Sequence, residues 1–176
     1  MEDTNPISIP LDPNYKLGPN KDIRESNHSN NYTSLIGSLQ YLAVATQPDI
    51  AYTINCLAVY TANPSFKYYG AAKQLLKYIK GTKTYRITYH ANATRHTGPN
   101  DLNIIHSFSD VAFTNADDYK SILGYTFLAN WGVITWELKK QTTIILLITE
   151  AEYIALAEAA HDGMWLHYLY EELGYT

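Results

Sequence analysis

Residues 102–110 read LNIIHSFSD, an alternation of apolar and polar residues that predicts a half-buried strand. Two more strand-like runs follow at 123–128 and 133–136, and ANWG at 129–132 supplies turn residues between them. The stretch 149–173 is rich in Ala, Leu and Glu and contains no proline, which predicts one long helix. This part of the chain therefore predicts three antiparallel strands followed by a helix.

Two carboxylates in this stretch are candidate catalytic and metal-binding residues, Asp110 near the end of the first strand and Glu152 near the start of the helix. At about 100° per residue, Glu152 shares a helical stripe with the residues Leu156, Ala159, Gly163, Leu166 and Tyr170. Glu152 would then point at the sheet near Asp110. Because converging carboxylates repel each other unless a divalent cation binds between them, the pattern gives a magnesium-dependent phosphodiesterase hypothesis.

The spacing leaves a second interpretation open. Thr149-Glu150-Ala151-Glu152 fits a capping box, in which Glu152 bonds only to the backbone at the start of the helix. Asp110 would then be an ordinary acid at a strand end.

Upstream, the pattern predicts three helices at 34–46, 48–61 and 65–80, with Pro48 at a first helical position and Gly81 as a C-terminal stop. A strand is predicted at 84–90. We expect a mobile tail or an extended strap at 1–30, a helical segment at 31–91, a linker at 92–100 and a second domain at 101–176. The predicted fold class is α+β.

The net charge is -4, but acidic and basic residues are unevenly distributed along the chain. No acidic residue lies between Ile50 and Asn100, whereas this region holds seven of the 13 basic residues. The candidate phosphate contacts are Lys73, Lys77, Lys80, Lys83 and Arg86, with Lys120 downstream. With Tyr68, Tyr69, Tyr78 and Tyr85 interleaved, this surface could contact a nucleic-acid backbone, and the alternative is an ordinary solvated helix surface.

Cys56 is the single cysteine, so an internal disulfide and a cysteine-based zinc site are excluded. No apolar run reaches the roughly 18 residues of a membrane span, and the polar N-terminus does not resemble a signal peptide. We expect a cytoplasmic protein, or one in a nucleus or virus-like particle reached from the cytoplasm.

Several of these motifs occur together in one known family. They are Ser109-Asp110 followed by Phe113, then Lys120-Ser121, Gly124-Tyr125, Ile134-Thr135-Trp136, Lys139-Lys140-Gln141 and the run TEAEYIAL at 149–156. In this order they resemble the ribonuclease H segment of copia-type retrotransposon Pol polyproteins. The stretches 32–43, 47–52, 71–73 and 78–82 resemble the segment that joins reverse transcriptase to ribonuclease H in the same polyproteins.

The resemblance implies a ribonuclease H-like fold, an RNA–DNA hybrid as the nucleic acid and two magnesium ions held by three or four carboxylates. Asp110 would bridge both ions and Glu152 would hold the second. The sequence departs from the family pattern at Ala112, where an acid is usual, and at Leu147 and Ile148, where serines are usual. The third and fourth carboxylates and the polymerase signature Tyr-x-Asp-Asp are not found, and Asp117 and Asp118 are interpreted as turn residues.

Two functions follow as expectations. The first is a fragment of a Pol polyprotein, related to ribonuclease H and inactive or nearly so alone, with weak magnesium binding. The second is a non-catalytic module that binds nucleic acid or a protein chain completing its sheet, since an open sheet edge favours association.

Overall fold

The computed structural model describes residues 4–12, 29–89, 104–112, 120–141 and 147–174. The chain divides into two compact units, Met1–Tyr85 and Arg86–Thr176, which we describe separately. The expected linker at 92–100 lies outside the described residues.

Unit 1 is helical. Its elements are α1 (Ser29–Ala45), a 3-10 turn (Pro48–Ile50), α2 (Ala51–Ala58) and α3 (Phe66–Gly81). Pro48 lies in the first turn of the 3-10 segment, where its missing N–H costs no hydrogen bond. The three predicted helices are confirmed, although α1 begins at Ser29 rather than Ser34 and the second helix ends at Ala58 rather than near Thr61.

Apolar side chains from the three helices form the core of unit 1 in two adjoining clusters. One contains Tyr32, Ile36, Leu57, Tyr68, Ala71 and Ala72, and the other contains Leu39, Ala43, Ile50, Ile54, Leu75 and Tyr78. Two tyrosines of this core donate hydrogen bonds from their hydroxyls: Tyr32 to the Leu57 carbonyl at 3.1 Å, and Tyr78 to Oδ2 of the exposed Asp49 at 2.7 Å. These bonds satisfy polar groups that burial would otherwise penalise.

Residues 4–12 lie against the helices of unit 1. Ile7 and Leu11 pack against the two core clusters, and Lys80 Nζ donates to the Thr4 carbonyl at 2.9 Å. This part of the N-terminal segment is therefore arranged as a strap along the helices.

Unit 2 contains a three-stranded antiparallel sheet in the order β1 (Ile105–Ala112), β2 (Ile122–Ala129) and β3 (Gly132–Lys140). The three predicted strands are confirmed. The strand predicted at 84–90 is wrong for residues 84–89, which are irregular, because no strand in the described part of the chain pairs with them. The hydroxyl of Tyr89 instead donates to the Val133 carbonyl at 2.8 Å.

The β2–β3 turn has Asn130 and Trp131 at its centre, with φ of 50° and 65°. Two consecutive residues in this region are typical of the two-residue hairpin turn that matches strand twist. Gly132, expected to be a turn residue, is the first residue of β3. A Cβ at this position would meet the Tyr89 ring, so the glycine allows the close approach of that side chain.

Helix α4 (Ile148–Glu172) covers one face of the sheet, where it packs against β1 and β2. The buried cluster between them contains Leu123, Tyr125, Phe127, Ala155, Ala159 and Leu166. Mixed helices and antiparallel strands confirm the predicted α+β class. None of the helices in the described residues has the length and apolar character that a membrane span requires.

We predict that Gly163→Leu destabilises unit 2. A Cβ at Gly163 would lie 3.3 Å from Phe127 Cε1, so a leucine side chain has to displace the ring or the helix. Overpacking of this kind costs about 1–3 kcal/mol, which exceeds the gain of about 1 kcal/mol from removing a glycine inside a helix. Chemical denaturation measures the change, and Ala160→Leu, at an exposed position of the same helix, is the control. Equal midpoints for the two variants would contradict the proposed contact.

We predict an alkaline loss of stability that depends on Tyr78. Its hydrogen bond to Asp49, together with burial, raises the pKa of Tyr78 to about 12, whereas an unfolded tyrosine titrates near pH 10. The stabilisation is complete below about pH 10 and is lost as the pH rises through about 12. Unfolding free energies measured from pH 8 to 12 should show that Tyr78→Phe costs about 1–3 kcal/mol at pH 8 and less at high pH.

The control for this experiment is Tyr41→Phe, because the Tyr41 side chain is 77% exposed. This variant should follow the wild-type curve. A cost of Tyr78→Phe that stays constant across the pH range would show that the hydroxyl–carboxylate bond is not its cause.

Candidate functional site

Asp110 lies on β1 and is exposed. Its Oδ1 accepts a hydrogen bond of 2.9 Å from the backbone N–H of Val111. The register pairs Ser109 with Tyr125 and Asp110 with Gly124. Because Tyr125 belongs to the cluster under α4 and side chains alternate between the two faces of a sheet, Asp110 projects from the face that α4 does not cover.

Glu152 lies on the flank of α4 above β1. Glu158 forms an ion pair with Lys139 on β3, and Asp162 accepts from the Tyr125 hydroxyl. These two acids therefore mark the side of the helix toward β3. Counting 100° per residue from them, Glu152 and Leu156 fall on the opposite flank. Both are exposed, Leu156 by 57%.

The predicted helical stripe is therefore wrong in its first half. The residues that face the sheet there are Ala151 and Ala155, both fully buried, rather than Glu152 and Leu156. Further along, Ala159 and Leu166 are buried as predicted and Gly163 contacts Phe127. The physical reason is that alanine lets the helix backbone approach the strands, which a leucine or glutamate at the same place would prevent.

The capping-box interpretation is also wrong. The helix begins at Ile148, and its N-cap residue is Leu147 in an extended conformation with no side-chain hydrogen bond at the cap. Thr149 is therefore inside the helix and cannot act as the cap that the motif requires.

The structure does not bring Asp110 and Glu152 to one side of the sheet. Asp110 projects from the uncovered face, whereas Glu152 lies on the helix that covers the other face. Within the described residues, no group of three or more His, Cys, Asp or Glu side chains is arranged to hold a metal ion. Asp117 and Asp118 lie outside the described residues. Asp110 and Glu152 therefore form no such group among the described residues, and their assignment as magnesium ligands stays a prediction.

A different pair of carboxylates does converge in unit 2. Glu137 on β3 and Asp162 on α4 both contact the hydroxyl of Tyr125, at 2.5 Å and 2.6 Å. Burial, followed by these hydrogen bonds, raises the pKa of Tyr125 well above its ordinary value. The hydroxyl has one proton and therefore donates to one of the two carboxylates at a time. Because the pKa of Tyr125 is raised, the phenol keeps that proton at neutral pH, and its contacts join β2 to β3 and to α4.

Sequence reasoning missed this cluster because its members are 12 and 37 positions apart along the chain. The period-2 placement of Tyr125 and Glu137 on the α4 face was the available signal. It could not indicate the rotation of α4, on which the third member depends.

The basic residues divide between the two units. Lys73 and Lys83 are exposed, whereas Lys77 and Lys80 are half-buried on α3 and Lys80 contacts the strap. In unit 2, Arg86 is exposed and Lys120 is half-buried. The exposed side chains are therefore more accessible to a phosphate than the half-buried ones.

The tyrosines between them differ from the prediction of an exposed aromatic surface. Tyr68 and Tyr78 are core residues at 2% and 8% exposure, and Tyr69 packs edge-on against Tyr32 at 5.1 Å. Tyr85 is 74% exposed. The lysine surface of α3 is therefore mainly aliphatic and charged, and Tyr85 is the member of this set with an accessible ring.

No family model matches the sequence and no solved structure matches it. Curated proteins do match. The retrovirus-related Pol polyproteins of transposon TNT 1-94 from Nicotiana tabacum and of RE1 from Arabidopsis thaliana are 32% and 31% identical over 99% of this chain. Secreted RxLR effector protein 161 of Plasmopara viticola is 33% identical over 77% of this chain and 90% of its own length.

The share of the relatives that is covered limits what they show. The chain spans 13% of the TNT 1-94 polyprotein and 11% of the RE1 polyprotein. The match is nevertheless continuous through both units, from the helical segment into the strands and α4. The chain is therefore homologous to one segment of the retrovirus-related Pol polyproteins of plant copia-type transposons, at about 30% identity over most of its length.

Proposed function

We propose that this chain is the ribonuclease H-related segment of a Pol polyprotein, that it binds an RNA–DNA hybrid and that it does not cleave the hybrid alone. The observation that carries the proposal is the order of elements in unit 2. Three antiparallel strands precede a long helix packed on one face, with Asp110 on β1 and Glu152 on α4. This order agrees with what the family resemblance implies for a ribonuclease H-like fold.

Lack of cleavage by the isolated chain follows from the placement of the acids. Hydrolysis with two magnesium ions needs several carboxylates around one point, because the ions must activate water and stabilise the leaving oxygen together. Asp110 leaves the sheet through the face opposite to α4, and Glu152 lies exposed on the helix flank. Two carboxylates in these directions leave any bound ion largely hydrated, so we expect weak magnesium binding and no cleavage.

Binding of nucleic acid is supported by the charge of the α3 surface. On α3, Lys73 is exposed and Lys77 is half-buried, and the exposed Lys83 follows shortly after the helix ends. No acidic residue lies in the sequence from Ile50 to Asn100. Cations on such a surface bind phosphates mainly by releasing condensed counterions, which makes the affinity depend steeply on salt. The compartment that this function implies is the cytoplasm, a nucleus or a virus-like particle.

A second function, that of a protein-interaction module, is favoured by one observation. Among the strands that the structure describes, β1 lies at the edge of the sheet, and its residues 106–110 are all exposed. Exposed edges of this kind pair readily with other strands.

We predict no detectable cleavage when the isolated chain is incubated with a labelled RNA–DNA hybrid and magnesium. An active ribonuclease H serves as the positive control for the substrate. In parallel, calorimetry with magnesium alone should give at best millimolar binding that disappears in Asp110→Asn. Cleavage that Glu152→Gln abolishes would overturn the proposed inactivity, and magnesium binding that is unchanged in Asp110→Asn would remove Asp110 as a ligand.

We predict that Lys73→Glu combined with Lys77→Glu weakens hybrid binding at low salt. The variant should also flatten the plot of log affinity against log salt, by roughly 0.7–0.9 for each phosphate that the protein no longer neutralises. Fluorescence anisotropy with a labelled hybrid measures both quantities. The matched control is Lys139→Glu with Lys140→Glu, which changes the net charge equally on unit 2. An equal effect of the two double variants would show that net charge, rather than the α3 surface, governs binding.

A further inference from the structure

The strap formed by residues 4–12 crosses the end of α3 at Gly81. A Cβ at Gly81 would lie 3.0 Å from Pro6 Cβ, so even a methyl group at this position would press against the strap. Further along the strap, Ile7 and Leu11 pack against the two core clusters of unit 1. The strap therefore has two apolar anchors, and the part that precedes them lies close against the last turn of α3.

This first part of the strap holds the ammonium group of Lys80. The Lys80 Nζ donates a hydrogen bond of 2.9 Å to the carbonyl oxygen of Thr4, and the Lys80 side chain is half-buried. A carbonyl is a neutral acceptor, so the ammonium keeps its positive charge in this contact. A phosphate oxygen carries negative charge and therefore attracts the same ammonium more strongly. A phosphate that reaches Lys80 can thus replace the carbonyl as its acceptor.

The part of the strap before its first anchor buries little of its surface. Asn5 and Pro6 are exposed, and Thr4 is half-buried. Proline also has no N–H with which to bond to the helix. Segments with few buried apolar contacts open locally at lower free energy than the core to which they are attached. Residues 4–6 can therefore leave α3 while the two apolar anchors stay in place.

Lys80 belongs to a row of lysines on α3. Lys73, Lys77 and Lys80 are four and three residues apart, so at 100° per residue they fall within a sector of about 60° on the helix. Side chains at these spacings have Cβ atoms about 5–6 Å apart. Lys73 is exposed, and the exposed Lys83 follows the helix by two residues. The strap thus contacts the member of the row that lies nearest to Lys83.

We propose that the strap is a gate on this lysine row, in which the Thr4 carbonyl holds Lys80 until a backbone phosphate of the nucleic acid takes its place. The inference rests on the hybrid binding proposed above and adds regulation to that site. Residues 4–6 detach, the Lys80 ammonium exchanges a carbonyl acceptor for a phosphate, and no covalent bond changes. Because binding through Lys80 requires the open strap, the closed contact lowers the apparent affinity for the hybrid.

The test compares hybrid binding by the full chain and by a variant that lacks residues 1–6, with fluorescence anisotropy across a range of salt concentrations. At low salt, we expect the truncation to tighten binding several-fold. It should also steepen the plot of log affinity against log salt by roughly 0.7–0.9, the change for one further neutralised phosphate. In a Lys80→Gln background, the truncation should have no effect, because no ammonium is released.

Two controls separate the gate from other effects. The truncation also removes the acidic residues Glu2 and Asp3, so Glu2→Gln with Asp3→Asn in the full chain measures the contribution of their charges. This variant keeps the Thr4 carbonyl and should tighten binding less than the truncation does. Gly81→Val displaces the strap without removing any residue and should act like the truncation. Gly37→Val on α1, where an added Cβ meets nothing within 4 Å beyond its own helix in the described part of the chain, should bind as the wild type does.

A second readout uses no nucleic acid. Acetylation of lysines with an N-hydroxysuccinimide ester, followed by mass spectrometry, should modify Lys80 several-fold more slowly in the full chain than after the truncation. Lys73, which is exposed on α3, is the internal reference and should react equally in both chains. Equal rates for Lys80 in the two chains would overturn the gate.

The binding outcomes distinguish the gate from the proposed function. Hybrid binding that the truncation leaves unchanged, or that it tightens equally in the Lys80→Gln background, overturns the gate and leaves the function in place. Equal tightening by the truncation and by the charge control overturns the gate in the same way. No hybrid binding by any variant overturns both proposals, even where Lys80 is protected from acetylation.

Discussion

The close packing of α4 on the sheet through alanine and glycine is the constraint on which unit 2 depends. Ala151 and Ala155 are fully buried, and Gly163 lies against the Phe127 ring. Small side chains let the helix backbone approach the strands, so that dispersion attraction acts over the length of the interface. The hydroxyl of Tyr125 then joins helix and sheet by reaching carboxylates on both. Rotation of the helix about its axis would break all of these interactions together.

That rotation decides where the candidate catalytic groups lie. With alanines facing the sheet, Glu152 is turned onto the flank above β1, while strand alternation sends Asp110 out of the other face. A ribonuclease H-type centre requires carboxylates that converge on one point. Within the described residues, the candidate acids Asp110 and Glu152 lie in different directions and do not converge in this way. The same arrangement therefore accounts for the proposed inactivity.

In unit 1, by contrast, some tyrosines are core residues and others lie on the surface. Tyr32 and Tyr68 are nearly fully buried, and Tyr60 stacks on Tyr68 with ring centroids 4.5 Å apart. The lysines of α3 lie outside this core, with Lys73 exposed and Lys80 bonded to the Thr4 carbonyl of the strap.

The sequence alone determined the α+β class, the three helices of unit 1, the three strands and the extent of α4 to within a residue or two, because periodicity and proline or glycine punctuation are local signals. It also carried the family motifs that the comparisons with Pol polyproteins support. Only the tertiary structure decided the rotation of α4, the faces of Asp110 and Glu152, the meeting of Tyr125, Glu137 and Asp162, and the non-strand course of residues 84–89. When a helix has apolar residues on more than one side, its sequence does not determine which side faces the sheet. Packing against particular strands then selects the rotation of the helix about its axis.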